Sequence, residues 1–158
     1  MEERKSEGHR IDYFIRAMRS CGCRFDSGQA PVFKKRGVLE FWEGEFFYKP
    51  GGIGLVGKVT LDHNFITVKS NRVISRKTVK NFREEIHLLL TTNQCHYYFE
   101  SMPGEPDKLI IVLAKYIYSS APPEEEVQMV LDMLAHAFYD LHKGIKSDFE
   151  DWKLKDPL

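Results

Sequence analysis

The sequence has no apolar run long enough to cross a bilayer. Its most apolar stretch is Leu109–Ala114, whereas a spanning helix needs about 20 residues. The first residues, Met-Glu-Glu-Arg-Lys-Ser-Glu, lack the apolar core of a secretory signal peptide. Its 3 cysteines are an odd number without the spacing of a disulfide framework. Together these absences predict an intracellular protein, cytoplasmic or nuclear, in a reducing compartment.

The chain also lacks net charge, because 23 Lys and Arg balance 23 Asp and Glu. Neutrality argues against a dedicated nucleic-acid binder, but the charges are unevenly distributed. Residues 58–83 hold seven Lys or Arg and one Asp, whereas residues 119–158 hold four Lys and nine Asp or Glu. A local basic surface therefore stays open as an alternative.

At 158 residues, with 42% hydrophobic and 29% charged residues, the chain has the size and composition of one globular domain with a real core. We expect a single domain over residues 1–158. Its expected parts are a loose polar segment (1–8), a helix (9–21), a sheet (37–118), a long helix (122–143) and a short amphipathic tail (147–155).

The long helix over residues 122–143 has the clearest pattern. Pro122 and Pro123 suit its first turn, and the three glutamates 124–126 place negative charge at the positive end of the helix dipole. Gly144 suits a left-handed residue just past the helix end. One apolar stripe recurs at spacings of three and four: Val127, Val130, Leu131, Leu134, Phe138 and Leu141. So wide a stripe must pack against a sheet or another helix, and the run Leu109–Ala114 predicts a strand, buried on both faces, of the expected sheet.

Weaker patterns predict the other elements. Ile11, Phe14, Ile15 and Met18 form a short helical stripe, and residues 23–36 are typical of a connector. Residues 70–83 are ambiguous, and we favour a strand or loop followed by a helical turn that Ser75 caps. Strands are predicted at residues 38–43, 45–49, 53–56, 58–61, 65–69, 86–91 and 95–100.

Antiparallel strands followed by a terminal helix indicate the α+β class. Two architectures fit this order of elements. One is a strongly bent sheet or small barrel of about six to seven strands, with an N-terminal helix and a long C-terminal capping helix, which is similar in element order to pleckstrin-homology-like (PH-like) domains. The alternative is a sheet with helices on one face, which is similar to longin-like or profilin-like domains.

A glycine pattern, Gly52-Ile-Gly54-Leu-Val-Gly57-Lys-Val59, matches the nucleotide-binding fingerprint G-x-G-x-x-G-x-V. A dinucleotide site needs a helix after these glycines, but the residues that follow have a strand pattern. The protein-kinase version fails because no His-Arg-Asp or Asp-Phe-Gly follows. The pattern therefore favours a glycine-rich hairpin, without a nucleotide cofactor.

Metal-binding and catalytic patterns are weak. Four side chains offer zinc ligands: Cys21, Cys23, Cys95 and His96. The first pair is closer in sequence than is usual, and adjacent residues on a strand point to opposite faces. No local signature supports Cys95 as a nucleophile with a histidine base, and His136 with Asp140 is more typical of a solvated helix stripe than of an acid–base pair. We predict no metal site, no cofactor and no catalytic residue, and we favour a protein that is not an enzyme.

Two surfaces are candidates for binding. Met129, Met133 and His136 flank the apolar stripe of the long helix, and Trp152 anchors the tail; methionine adapts to varied protein surfaces. The basic segment 69–83 has the charge density to hold phosphate groups through Lys69, Arg72, Arg76, Lys77, Lys80 and Arg83. We expect a non-enzymatic interaction module, of the adaptor or regulatory kind, that binds another protein. The alternatives are a binder of phosphoinositide membranes or nucleic acid through the basic segment, and a small enzyme or hydrophobic-ligand carrier.

Overall fold

The structure is a computed structural model that describes residues 12–25, 32–37, 39–48, 55–61, 66–118 and 122–145. Residues 12–20 form helix α1. The other helices are α2 (Arg76–Asn81), α3 (Arg83–Thr92) and α4 (Glu124–Gly144). The strands are β1 (Arg24–Phe25), β2 (Val32–Arg36), β3 (Leu39–Tyr48), β4 (Leu55–Leu61), β5 (Ile66–Ser75), β6 (His96–Ser101) and β7 (Lys108–Ile117).

The strands form one antiparallel, 7-stranded sheet in the order β1-β3-β4-β5-β7-β6, and β2 also pairs with β3. β2 pairs with the first half of β3, and β1 pairs with Phe46 and Phe47 in its second half. The sheet is open, because β1 and β6 lie at opposite ends of this order. The α+β class, the antiparallel sheet and both terminal helices are confirmed. The expected strong bend or barrel closure is wrong.

The core lies on one face of the sheet. Val59, Val68 and Ile111 share that face through the ladders of β4, β5 and β7, and each of them is buried. They belong to a single buried cluster with apolar residues from three helices: Phe14, Ile15, Met18, Ile86, Leu90, Val127, Val130, Leu131, Leu134, Phe138 and Leu141. The helices α1, α3 and α4 therefore cover the same face, and we call the opposite face the outer face.

The structure confirms the two predictions that rest on the clearest apolar patterns, namely the strand β7 and the helix α4. In β7, consecutive residues from Ile111 to Ala114 are all buried, as a strand covered on both faces requires. Beyond Lys115 the exposure alternates, since Ile117 is buried whereas Tyr116 and Tyr118 are exposed. All six stripe residues of α4 are buried. The pattern of apolar residues therefore predicted the buried strand β7, the helix that packs on its sheet and the face of that helix that is buried.

Gly144 has a different role from the one expected. It is the last helical residue of α4, and Ile145 follows it as the C-cap. The backbone φ of Gly144 is not positive. A Cβ at this position would lie 2.7 Å from Cδ1 of Leu89 in α3. Gly144 therefore lies where α3 and α4 pack closely, and it continues the helix instead of forming a left-handed cap.

Residues 86–91 were predicted as a strand, and this prediction is wrong because they belong to α3. Short apolar runs satisfy both periods, so Ile-His-Leu-Leu-Leu-Thr does not discriminate between strand and helix. In the helix, Ile86 and Leu90 are buried one turn apart, whereas Leu88 is 68% exposed. Glu84 and Glu85 in the first turn are the local signal for the helix.

The ambiguous segment 70–83 is a strand followed by a helical turn, as favoured. β5 ends at Ser75, whose side chain accepts a hydrogen bond from the Thr78 backbone N–H at 3.1 Å and so caps α2. With α3 directly after α2, the range 37–118 holds two helices in addition to strands. The predicted sheet range 37–118 is corrected accordingly, because α3 within it was not expected.

Gly44 and Gly57 were predicted to lie between strands, but neither of them ends a strand. β3 continues through Gly44, and β4 continues through Gly57. A Cβ on Gly57 would overlap the backbone carbonyl oxygen of Lys69, so the close approach of β4 and β5 requires glycine. Gly52 and Gly54 lie outside the described residues. The predicted connector 23–36 contains the strands β1 and β2.

At the N-terminal side, α1 buries Phe14, Ile15 and Met18 as the helical stripe predicted, while Ile11 lies outside the described residues. The predicted tail 147–155 also lies outside them. Among the helices that the structure describes, none is long and apolar enough to span a membrane.

Candidate functional site

A groove of about 990 Å³ runs along α4, beside the turn that follows α3. We call it the α4 groove. The end of α3 and its turn contribute Thr92, Asn93 and Gln94. The first three turns of α4 contribute the remaining lining residues: Glu124, Glu125, Gln128, Met129, Asp132, Met133 and His136.

The groove follows from the helical period of α4. Residues 125, 129, 132, 133 and 136 recur at spacings of three and four, so they share one face, next to the buried stripe. Met129 is 54% exposed, and Met133 is half-buried. An exposed methionine in a groove offers an adaptable apolar surface to a partner.

Three of the four residues predicted to contact a partner meet in this groove. Met129, Met133 and His136 all line it. The fourth, Trp152, lies outside the described residues. The spacing of the first three residues on one helix predicted that they share a face, while the α3 turn that forms the other wall could not be inferred from α4 alone.

A part-buried hydrogen-bond network joins the groove to the sheet. The Tyr48 hydroxyl of β3 donates to Oδ1 of Asp132 at 2.8 Å, and Nε2 of Gln128 donates to the Tyr48 oxygen at 2.6 Å and to Asp132 at 3.0 Å. Burial, and then the hydrogen bond to Asp132, raise the pKa of Tyr48. The network fixes the side chains of Gln128 and Asp132 in the wall of the groove.

Sequence reasoning missed this network. Its local signal is the i,i+4 spacing of Gln128 and Asp132, which places both side chains on one side of α4. The third member, Tyr48, lies 84 residues before Asp132, and only the folded sheet brings the two together. The missed contact is therefore a long-range one.

A second set of contacts holds α4 to the turn after α3. Asn93 Nδ2 donates to Oδ2 of Asp140 at 3.1 Å, and the same oxygen lies 3.3 Å from Nε2 of His136. Lys115 Nζ donates to the carbonyl oxygen of Gln94 at 2.7 Å. Both ends of the groove are therefore held by side chains from other elements.

The charge of the α4 groove is negative. Glu124, Glu125 and Asp132 line it, and its lining residues include no Lys or Arg. Lys115, which contacts the turn after α3, donates its hydrogen bond to the carbonyl oxygen of Gln94. Carboxylates gathered on one concave surface attract cationic groups and discriminate against acidic ones.

The basic segment does not form one surface. Lys69 and Arg72 are an odd number of residues apart on β5, so their side chains point to opposite faces of the sheet. Arg72 is 8% exposed, and its guanidinium lies 5.2 Å from the ring centroid of Phe138. Burial lowers the pKa of Arg72 to about 10. On the outer face, Lys69 Nζ donates to the Tyr98 hydroxyl at 3.2 Å.

The other four cations of that segment are exposed on α2 and at the start of α3: Arg76, Lys77, Lys80 and Arg83. Arg76 Nε donates to the Pro106 carbonyl oxygen at 2.9 Å. The six predicted phosphate-binding residues therefore lie in three places: Lys69 on the outer face, Arg72 in the core, and the other four on α2 and at the start of α3.

A smaller pocket of about 400 Å³ lies where α2 and α3 meet β6. We call it the β6-edge pocket. Its lining residues are Val79, Arg83, Ile86, His87, Tyr97, Tyr98 and Phe99. Within it, Nδ1 of His87 lies 2.5 Å from the Tyr97 hydroxyl oxygen, in hydrogen-bond contact. Sequence reasoning missed this pocket because residues 86–91 were assigned to a strand.

The thiols of the described residues are not activated nucleophiles. Cys21 is half-buried, and Cys23 and Cys95 are buried. Burial raises the pKa of each of the three, and the carboxylates of Glu124 and Asp132 add to the effect at Cys21. Reactive cysteines need the opposite shift. Within the residues that the structure describes, no three His, Cys, Asp or Glu side chains are grouped to hold a metal ion.

Comparison with known proteins shows similarity of structure only. No family model matches the sequence, and no curated protein matches it. The structure is similar to that of an uncharacterized protein from Methanothermobacter thermautotrophicus, with a TM-score of 0.63 and 8% identity, over 87% of this chain and 96% of that one. YbjN from E. coli superimposes with a TM-score of 0.47 and 9% identity, over 84% of this chain and 92% of YbjN. At 8% identity, the likeness to the Methanothermobacter protein shows a shared fold.

Proposed function

We propose that this chain is a non-enzymatic interaction module that binds another protein through the α4 groove. The observation that carries the proposal is a large open groove in which Met129 and Met133 lie beside three carboxylates. Hydrogen bonds from Tyr48 and Asn93 hold its walls, so little conformational entropy is lost when a partner binds. The odd cysteine count supports an intracellular setting.

The partner that fits is a cationic amphipathic helix. Apolar anchors at i and i+4 would contact Met129 and Met133, which have the same spacing on α4. Lys or Arg beside the anchors would approach Glu124, Glu125 and Asp132. A volume of about 990 Å³ is large enough for several side chains.

The test is selection of peptides from a random displayed library on the wild-type protein, with the double variant Glu125→Lys, Met129→Ser used for counter-selection. The matched control is Glu85→Lys, Leu88→Ser on α3. It changes a first-turn glutamate and an exposed apolar residue in the same way, outside both the α4 groove and the β6-edge pocket.

We expect enriched peptides to carry apolar pairs flanked by Lys or Arg. They should bind the control like the wild type and lose at least about tenfold in affinity on the double variant. Enriched peptides that are acidic, peptides that bind the double variant equally well, or no enrichment over that variant would each contradict the proposal.

A second candidate is the binding of phosphate groups at α2, supported by the four exposed cations Arg76, Lys77, Lys80 and Arg83. The variant Arg76→Glu, Lys77→Glu tests it against vesicles that contain phosphoinositide and against single-stranded DNA. A loss of binding to one probe would support the candidate and identify its ligand. Binding that is unchanged by the charge reversal, or absent from the wild type, would exclude it.

We also propose, as the finer description of the fold, the longin-like or profilin-like arrangement in preference to the PH-like one. The open sheet and the position of α1, α3 and α4 on one face support it. An experimental structure in which the sheet closes over residues outside the described ranges would contradict this arrangement.

A further inference from the structure

We propose a second docking site, at the β6 edge, where an extended acidic polypeptide segment adds as a strand to β6. The site goes beyond the α4 groove: it uses another surface, a partner of opposite charge and a different mode of recognition. Three observations carry it, namely the open edge of β6, the pocket beside that edge and the charge of the pocket.

β6 is the last strand of the sheet, and among the described strands its pairing partner is β7. In an antiparallel pair, alternate backbone groups of an edge strand point away from its neighbour and can pair with another chain. Natural edges are commonly protected by Lys, Pro or a bulge. The six residues of β6, His-Tyr-Tyr-Phe-Glu-Ser, pair with β7 without a gap and include neither Lys nor Pro.

The β6-edge pocket lies along this open edge. Tyr97 and Phe99 point to the helix-covered face of the sheet, and Tyr98 points to the outer face, yet all three line the pocket. Three consecutive residues of β6 therefore line the pocket, so it follows the backbone of this edge strand. A strand added beside β6, at about 4.8 Å, would direct every second side chain toward the pocket. Val79 and Phe99, which are half-buried, provide the apolar contacts.

The charge of the site favours an acidic segment. Arg83 lines the pocket, no carboxylate does, and Lys80 is exposed on α2, three residues before Arg83. On the outer side of the edge, the Lys69 ammonium donates to the Tyr98 hydroxyl. Glu84 and Glu85 on α3 and Glu100 on β6 are the acidic residues of these elements, and none of them lines the pocket. An Asp or Glu on the added strand would therefore approach Arg83.

The experiment uses the full chain and synthetic seven-residue peptides of alternating Val and Thr that end in two Asp or in two Lys. A third peptide is the Asp form with N-methyl groups on every second amide, which blocks strand pairing along one side. Binding is measured by calorimetry, and hydrogen exchange locates it on the chain. The variant Arg83→Glu tests the charge, and Lys77→Glu, an exposed cation outside the pocket, is its control.

We expect the Asp peptide to bind and to protect amides of residues 96–101 from exchange. The N-methylated peptide should lose most of the affinity, Arg83→Glu about tenfold, and Lys77→Glu none. Equal binding of the Asp and Lys peptides, no loss on N-methylation, no binding at all, or protection confined to the α4 groove would overturn the proposal.

A second copy of this chain is the competing occupant of the edge. If protection of residues 96–101 rises with protein concentration when no peptide is present, the edge belongs to a dimer and the proposal of an acidic partner fails. The variant Glu125→Lys separates this site from the α4 groove, since it should weaken the binding of cationic peptides and leave the affinity for the Asp peptide unchanged.

Discussion

The α4 groove and the β6-edge pocket use different ends of α3 and are built in different ways. The α4 groove takes Thr92 at the end of α3, is lined by helical side chains and contains three carboxylates. The β6-edge pocket takes Arg83, Ile86 and His87 from the beginning of α3 and lies against an open strand. One helix therefore contributes to two surfaces with opposite charge.

This difference bears on specificity. A surface discriminates between partners both by attraction to one and by repulsion of the other. The carboxylates of the α4 groove disfavour an acidic strand, and Arg83 disfavours a cationic helix. If both proposals hold, the two partners do not compete for the same site, and the binding of each can be weakened by a single charge reversal.

A change in the packing of α3, which contributes to both the α4 groove and the β6-edge pocket, should have the largest effect. Leu90 is fully buried, and Leu90→Ala should reduce the free energy of unfolding by about 3 kcal/mol, since it leaves a cavity under α3. Both kinds of peptide should then bind less well. The control Leu88→Ala, at a position that is 68% exposed, should stay within about 0.5 kcal/mol. Urea denaturation measures both; equal effects would show that α3 is not packed as described.

The same pair of leucines shows what the sequence could predict. α4 carries a stripe of six apolar residues at helical spacing, with charges and a glycine at its ends, so its limits and its buried face were predicted. The apolar run Leu88-Leu89-Leu90 does not distinguish a helix from a strand, and α3 was therefore predicted as a strand. The contacts from Tyr48 and Asn93 to α4 are long-range, so no local pattern indicated them. The sequence was enough to identify candidate binding residues on one helix, α4. It was not enough to identify the residues of other elements that form the groove with them.

Salt should separate the two modes of recognition. Binding of a cationic peptide in the α4 groove depends on exposed carboxylates, so its affinity should fall about tenfold between 50 mM and 500 mM NaCl, as charges are screened. Strand addition at β6 depends mainly on backbone hydrogen bonds, and its affinity should fall about threefold or less. Calorimetric titration at the two salt concentrations measures the difference. Equal losses would mean that charge dominates at both sites.

Alkaline pH should act on the α4 groove through Tyr48. Its pKa is raised above the usual value of about 10, chiefly by burial, so the folded state keeps the proton after the unfolded state has lost it. The stability that this group contributes is fully present below pH 10 and is lost as pH rises above it, by at most about 1.4 kcal/mol per pH unit. The variant Tyr48→Phe should show a shallower loss between pH 10 and 11 in urea denaturation. Parallel curves would contradict the burial of this hydroxyl.

At neutral pH, two Tyr→Phe variants compare the polar contacts of the two sites. Tyr48→Phe removes the hydroxyl that joins Asp132 and Gln128, and it should reduce the free energy of unfolding by about 1 kcal/mol, because the lost bonds are part-buried. Tyr97→Phe removes the contact with His87, but this contact is exposed and water can replace it, so the cost should be about 0.5 kcal/mol or less. A larger loss at Tyr97 would mean that the β6-edge pocket is the more rigid of the two sites, and that the smaller pocket, rather than the α4 groove, is pre-formed for its partner.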